Sequence, residues 1–347
     1  MIRHLVVDDS AVMRAFLSRV VASQPDMELL AASPDPLLAI DRIRRTPPDV
    51  ITLDVEMPRM NGLDFLRNLM MVRPLPVIMI SSLTREGAET TLKALELGAV
   101  DFVAKPASFE QLGQNAQEIA DKIRAAAGAR VVRRRAELPQ PAQKSRPAPL
   151  LQAVATAAPQ RVIGIGASTG GVEALRDVLT HLPSRMPPIV IAQHMPPGFT
   201  ETFAKRLDTL CRIHVKQAQD GEAVQGGVAY IAPGGRHLVL MRRGAGYYLR
   251  VNDEPPVNRH RPSVETLFRS IARAAGSQAI GVMLTGMGGD GADAMLEMSR
   301  AGAYNIAQDE ATCVVFGMPR QAIAAGGVHE IAALPDIASR LEALALA

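Results

Sequence analysis

Short apolar runs alternate with helix-like periodicity at both ends of the chain, and a long stretch in the middle shows neither pattern. Before residue 127, the runs at 4–7, 27–31, 49–53, 76–80 and 100–103 predict strands. Apolar positions at helical spacing predict helices near 11–23, 36–45, 62–71, 87–97 and 108–126. The strands carry little alternating polarity, so both faces of their sheet must be covered, which implies parallel strands wrapped by helices. After residue 160 a second series begins. Strands are expected near 161–165, 188–193, 213–217, 278–284 and 304–308, with helices near 171–181, 199–210, 263–275, 290–300 and 318–325. Within it, GGVAYIAPGGRHLVLMRRGAGYYLRV (226–251) has three short alternating runs with glycine turns, read as an inserted β-hairpin or meander. The fold class is α/β: two doubly wound parallel-sheet domains, the second larger and carrying the insert.

The middle stretch changes how the charge is read. The chain has 347 residues, a formal net charge of +3 and 21% charged residues. Eight Lys/Arg against the single acid Glu137 fall between Lys122 and Arg146, with Pro139, Pro141, Pro147 and Pro149 beside them. Residues 128–159 therefore read as a solvated Pro/Arg-rich linker between domains at 1–127 and 160–347. The remainder is close to neutral. Aromatics make up 3% and tryptophan is absent, which removes the usual stacking platform for nucleic acid, so no nucleic-acid partner is expected. No apolar run approaches the ~18 residues that a membrane span needs. The N-terminus lacks a secretory pattern, and Cys211 and Cys313 are too few for a disulfide framework. These features predict a cytoplasmic monomer that is not inserted in a membrane.

Candidate chemistry in the first domain sits at strand ends. Asp8 and Asp9 follow the first strand, Asp54 the third, Ser81 the fourth and Lys105 the fifth. In an open parallel sheet, functional groups gather outside the carboxyl ends of the strands. Three carboxylates there repel one another unless a cation sits among them, and an all-oxygen set suits Mg2+. The Lys105–Pro106 bond is a candidate cis peptide that would fix the lysine's approach. VVDDS, LDVEMPRMNG, ISS and VAKP, in this order, resemble the flavodoxin-like receiver domain of two-component response regulators. That resemblance implies that Asp54 accepts a phosphoryl group from a histidine kinase while Asp8 and Asp9 help to hold Mg2+. It also implies that Ser81 and Lys105 sense the phosphate and that Phe102 stands at the switch aromatic.

The second domain opens on RVIGIGASTGGVEAL (161–175), which has two readings. Gly164, Gly166 and Gly170 after an apolar run look like a phosphate-cradling loop. The same residues contain G-x-S-x-G around Ser168, a pattern that presents a nucleophile on a strand-to-helix turn. A dinucleotide site demands an acid at the end of the next strand. That strand instead ends in Gln193 and His194. A serine nucleophile needs a base, and the base needs an orienting group. His194 and Asp290, each beyond its own strand, fit those roles, with His260 a rival base and Asp253 and Asp293 lesser rivals to Asp290. Backbone N–H groups of Met287 or Gly288, in a glycine-rich turn, and of Thr169 and Gly170, at a helix start, are candidate oxyanion donors.

GIGASTGG, AQHMPPGFT, AYIAPGGRHL, PPVNRHRPSVETLF, LTGMGGDGADAM and AQDEATCVVFGMPR resemble the catalytic domain of the CheB family of chemotaxis protein-glutamate methylesterases. The resemblance implies hydrolysis of glutamate γ-methyl esters on methyl-accepting chemotaxis receptors, and deamidation of receptor glutamines. It implies Ser168 as nucleophile, His194 as base and Asp290 as orienting acid, with no cofactor for the ester step. It further implies that phosphorylation at Asp54 relieves a block of the catalytic cleft. Two disfavoured alternatives stand beside it: a receiver-regulated nicotinamide enzyme, which cofactor titration would reveal, and a DNA-binding regulator working through the basic linker, which a salt-dependent DNA shift assay would reveal.

Overall fold

The computed structural model describes residues 1–57, 61–82, 84–105, 109–131 and 161–346, and within these the side chains of 85 and 109–115 are left aside. The chain divides into two compact units, Met1–Glu137 and Leu138–Ala347. Most of the proposed linker, and the Lys105–Pro106 bond, lie outside the described residues.

The first unit runs β1 (Ile2–Val7), α1 (Ala11–Ala22), β2 (Met27–Ser33), α2 (Pro36–Arg45), β3 (Val50–Asp54), α3 (Gly62–Val72), β4 (Val77–Ser81), α4 (Arg85–Glu96), β5 (Asp101–Ala104) and α5 (Phe109–Ala127). Its strands are all parallel in the order β2-β1-β3-β4-β5. Every residue of β3 and β4 is buried, which is why their sequences are near-continuous apolar runs. Helix starts follow local chemistry. Ser10, Asp35, Asn61 and Thr84 each accept a first-turn backbone N–H through a side-chain oxygen.

The second unit runs β6 (Val162–Ala167), α6 (Gly171–His181), β7 (Ile189–Gln193), α7 (Phe199–Leu210), β8 (His214–Gln217), β9 (Val228–Ile231), β10 (His237–Arg243), β11 (Gly246–Asn252), α8 (Val264–Ala275), β12 (Ala279–Met283), α9 (Ala292–Arg300), β13 (Tyr304–Gln308), α10 (Met318–Ala324), β14 (Glu330–Ala332) and α11 (Leu334–Leu346). A seven-stranded parallel sheet has the order β14-β13-β12-β6-β7-β9-β8.

Two features differ from the sequence reading. The first of the three alternating runs, β9, leaves the insert and pairs in parallel with both β7 and β8. Only β10 and β11 form the antiparallel hairpin. Ala229, Tyr230 and Ile231 are all buried, as a strand inside a covered sheet requires, whereas β11 alternates buried with more open positions. The short strand β14 and the terminal helix α11 extend the fold past the last expected element.

The glycines of β6 have a packing role. A Cβ at Gly164 would run into Ile271, and one at Gly166 into Val264, both on α8. Their absence lets α8 lie against the sheet, with Val264, Phe268 and Ile271 wholly buried. These two glycines are thus consumed by the core instead of cradling a phosphate.

Candidate active site

The strand order β12-β6-β7 places three carboxyl ends side by side. Ala167 pairs with Gln193 in register, so Ser168 and His194 are the next residues on adjacent strands. His194 Nδ1 lies 3.1 Å from Ser168 Oγ, and His194 Nε2 lies 2.8 Å from Asp290 Oδ2. For Nδ1 to accept the serine proton, Nε2 must carry the ring hydrogen and donate it to Asp290. The carboxylate therefore selects the tautomer that leaves a lone pair facing the hydroxyl.

Asp290 is buried, and it caps a different helix from the one that follows it. It accepts from the backbone N–H groups of Val264 (2.6 Å) and Glu265 (3.4 Å) at the start of α8, and from Ser263 Oγ (2.8 Å) and Asn258 Nδ2 (2.9 Å). Burial alone would raise its pKa. Hydrogen bonding and charge from His194, with the bonds from Asn258 and Ser263, outweigh burial and hold it down at about 2. The positive end of α8 favours the same charge. Of the rival acids, Asp253 is engaged with Arg236 at 2.8 Å, and Asp293 sits in the first turn of α9.

His260 reaches the site, though not as the partner of Ser168. Its ring stacks on that of His194, with centroids 3.7 Å apart and planes 12° from parallel. Gln193 ends the strand where a dinucleotide fold would place an acid. Its Nε2 donates instead to the carbonyl oxygens of Ser168 (3.0 Å) and His194 (3.2 Å), tying the loops that carry these two residues together. Neither role was readable from spacing.

The glycine-rich turn after β12 packs closely against Ser168. Ser168 N donates to Thr285 O at 3.1 Å, and a Cβ at Gly286 would run into Sδ of the buried Met318 and stand 2.8 Å from Ser168 Cβ. Met287 follows directly and is half-buried, and Gly288 adopts φ +83. Thr169 is buried, and its carbonyl accepts from Thr285 Oγ1 at 3.0 Å. Gly286→Ala is expected to displace Ser168 and lower hydrolysis about a hundredfold. The Cβ also meets Met318, so a lowered melting temperature is expected too, and turnover of the variant measured at a temperature where it remains folded checks the effect on Ser168.

In the first unit, oxygen atoms of Asp8, Asp9 and Asp54 lie within 4.8 Å of one another. Asp8 and Asp54 are buried and Asp9 is exposed. Lys105 Nζ stands 2.7 Å from Asp54 Oδ2 and 3.9 Å from Asp8 Oδ2, and the latter oxygen has no hydrogen-bond partner among the described residues. Burial, then the charge of Asp54, pushes Asp8 up to about 6, and burial likewise raises Asp54 against the pull of Lys105. An orphaned buried oxygen within an all-carboxylate set fits a hard divalent cation such as Mg2+. Ser81 is buried and its hydroxyl donates to Gly87 O at 3.2 Å. Phe102 is buried in β5, with Lys122 Nζ 5.4 Å from its ring centroid.

The family model for the CheB methylesterase matches residues 163–341, and that for the response regulator receiver domain matches 5–117. A protein-glutamate methylesterase/protein-glutamine glutaminase of Pectobacterium atrosepticum is 57% identical over 342 residues, covering 98% of this chain and 96% of that protein. The chain belongs to the CheB methylesterase family. A second relative, protein-glutamate methylesterase/protein-glutamine glutaminase 3 of Burkholderia lata, is 57% identical over 347 residues, covering 99% of this chain and 95% of its own. The crystal structure of the Thermotoga maritima CheB methylesterase catalytic domain is 39% identical with a TM-score of 0.52, covering 53% of this chain and 98% of that one. CheB membership, joined to a receiver, favours neither the nicotinamide nor the DNA-binding expectation. Mg2+-dependent phosphorylation is the usual chemistry of its receiver half. Among the described residues no helix is long and apolar enough to cross a membrane.

Proposed function

We propose that this chain is a phosphorylation-gated hydrolase that removes methyl groups from glutamate γ-methyl esters of chemoreceptors and deamidates receptor glutamines. The observation that supports it most is the continuous hydrogen-bonded run from Ser168 Oγ through His194 to Asp290. Ser168 Oγ attacks the ester carbonyl carbon and its proton passes to His194 Nδ1. The new alkoxide is received by backbone donors at Met287 and Thr169. As the carbonyl re-forms, the C–O bond to methoxide breaks, and methoxide takes the proton from Nδ1 and leaves as methanol. Water then attacks the acyl-serine with the same imidazole as base, freeing a receptor carboxylate and the Ser168 hydroxyl. A glutamine side chain follows the same course with ammonia leaving. Nucleophile, base and oxyanion donors all come from the chain, so this half calls for no cofactor.

Residues 1–127 form the switch, joined by the linker at 128–159 to the catalytic residues 160–347. An Asp54 carboxylate oxygen attacks the phosphorus of a kinase phosphohistidine as the P–N bond breaks, and the kinase imidazole leaves with the bonding pair and takes up a proton. Asp8, Asp9 and Asp54 would hold Mg2+, whose charge offsets the carboxylates as the phosphoryl group arrives. Ser81 turns from Gly87 toward the phosphate, Lys105 pairs with it, and Phe102 follows. Each tenfold of activation requires only about 1.4 kcal/mol of differential free energy between the unphosphorylated and phosphorylated states. The protein acts as a cytoplasmic monomer on membrane-bound receptors.

Methanol release from methylated receptor membranes, with and without a small-molecule phosphodonor, tests this reading. Release that rises with the phosphodonor is expected, and no release above buffer would refute it. Asp54→Asn is expected to keep basal release and lose the rise; a variant that still responds would move the acceptor elsewhere.

A further inference from the structure

We infer that His260 is a positioning residue for the hydrolytic step, holding the His194 ring by its face and favouring the imidazolium that forms when Ser168 attacks. The inference rests on the proposed hydrolytic reading and adds a residue to it.

Three observations carry it. The two imidazoles are nearly parallel at 3.7 Å, so His260 covers one face of the proposed base. The loop that brings His260 there also sends Asn258 Nδ2 to Asp290 Oδ1 at 2.9 Å, so one short segment grips both partners of the nucleophile. That segment is held in an unfavourable backbone shape: Asn258 (φ 52) and Arg259 (φ 68) are successive non-glycine residues in the left-handed region. Paired bonds between Val257 and His260, at 3.1 and 2.9 Å, and Arg261 Nη1 on the carbonyls of Asp253 and Glu254 keep the loop in place. Strain of this kind persists where the surrounding structure over-determines the conformation. Here it delivers two side chains to one hydrogen-bonded run.

The stacked geometry also excludes His260 from the base's own task. Its ring lies over His194, and the hydrogen bond recorded at Ser168 Oγ is that to His194 Nδ1. An electron-rich ring face stacked on an imidazole gains attraction when that imidazole becomes cationic. It also shields that face from water. The gain arises only as charge develops, so it belongs to kcat and not to KM.

The test uses the full chain, receptor membranes and a phosphodonor, with Ser168→Ala and His194→Ala as references. His260→Ala is expected to lower kcat about tenfold with KM within about twofold. His260→Phe, which keeps an aromatic face but has no titrating nitrogen, is expected to recover to within about threefold of the parent. The rate at which a fluorophosphonate labels Ser168, which needs no receptor, should follow the same order. A His260→Ala chain with parental kcat overturns the inference, and so does a His260→Phe chain as inactive as His194→Ala, since His260 would then be moving the proton. If the alanine variant fails to fold in a thermal melt, the phenylalanine variant decides alone. Should Ser168→Ala release methanol at the parental rate, the hydrolytic reading itself fails and this inference with it; that result differs from an unaffected His260→Ala beside an inactive Ser168→Ala.

Discussion

Ser168→Ala is expected to lower methanol release from methylated receptors by at least about ten-thousandfold while leaving the protein folded. The side chain is half-buried, and the hydrogen bond of its hydroxyl runs to His194 Nδ1. Alanine keeps the Cβ that stands against Gly286 and deletes only the attacking oxygen. The proposed oxyanion donors stay, so a small residual rate from positioned water is compatible with the account. Matching melting curves and retained receptor binding, beside the lost turnover, would separate chemistry from folding.

Asp290→Asn comes next in expected size, about a thousandfold or more in kcat. An amide presents one acceptor where the carboxylate presents two. Val264 N and His194 Nε2 converge on Oδ2 while Asn258, Ser263 and Glu265 share Oδ1. Whichever way the amide turns, an NH2 group faces a donor. Turned toward His194, it would favour the tautomer whose hydrogen points at Ser168 and so remove the base. Stability should fall as well, and its pH dependence gives a second measurement. The carboxyl is held at about 2 when folded, below its ordinary value near 4, so its stabilisation is complete above that ordinary value and is lost as pH falls through about 2. That corresponds to roughly 2 kcal/mol. Denaturant melts should show a gap between parent and variant at pH 7 that narrows between pH 4 and 2. A gap that stays constant, or widens in acid, would contradict the proposed electrostatics.

Residue type at strand ends made much of the site legible. Ser168, His194 and Asp290 each follow a strand that announces itself as an apolar run, and β12-β6-β7 adjacency brings them together. Asp8, Asp9, Asp54 and Lys105 were readable in the same way, from strand ends in a parallel sheet. What stayed hidden depended on contacts distant in the chain. Gly164 and Gly166 look like a ligand loop until α8, a hundred residues on, is seen lying across them. Strand β9 sits next to glycine turns and looks like part of the hairpin. Its pairing with β7 and β8 follows from burial on both faces, which four residues cannot signal. Asp290 stands just before α9 in the chain, yet it caps α8, which precedes it. The stack of His260 on His194 depends on left-handed backbone at Asn258, which tolerates it, and at Arg259, whose side chain does not announce it.

Labelling with a fluorophosphonate followed by peptide mapping reaches the central claim most directly. We expect a single adduct on Ser168, within the tryptic peptide Val162–Arg176, forming in parallel with loss of methanol release and slowed in both His194→Ala and Asp290→Asn. Modification of a different residue, or full methanol release from a chain labelled stoichiometrically at Ser168, would contradict it.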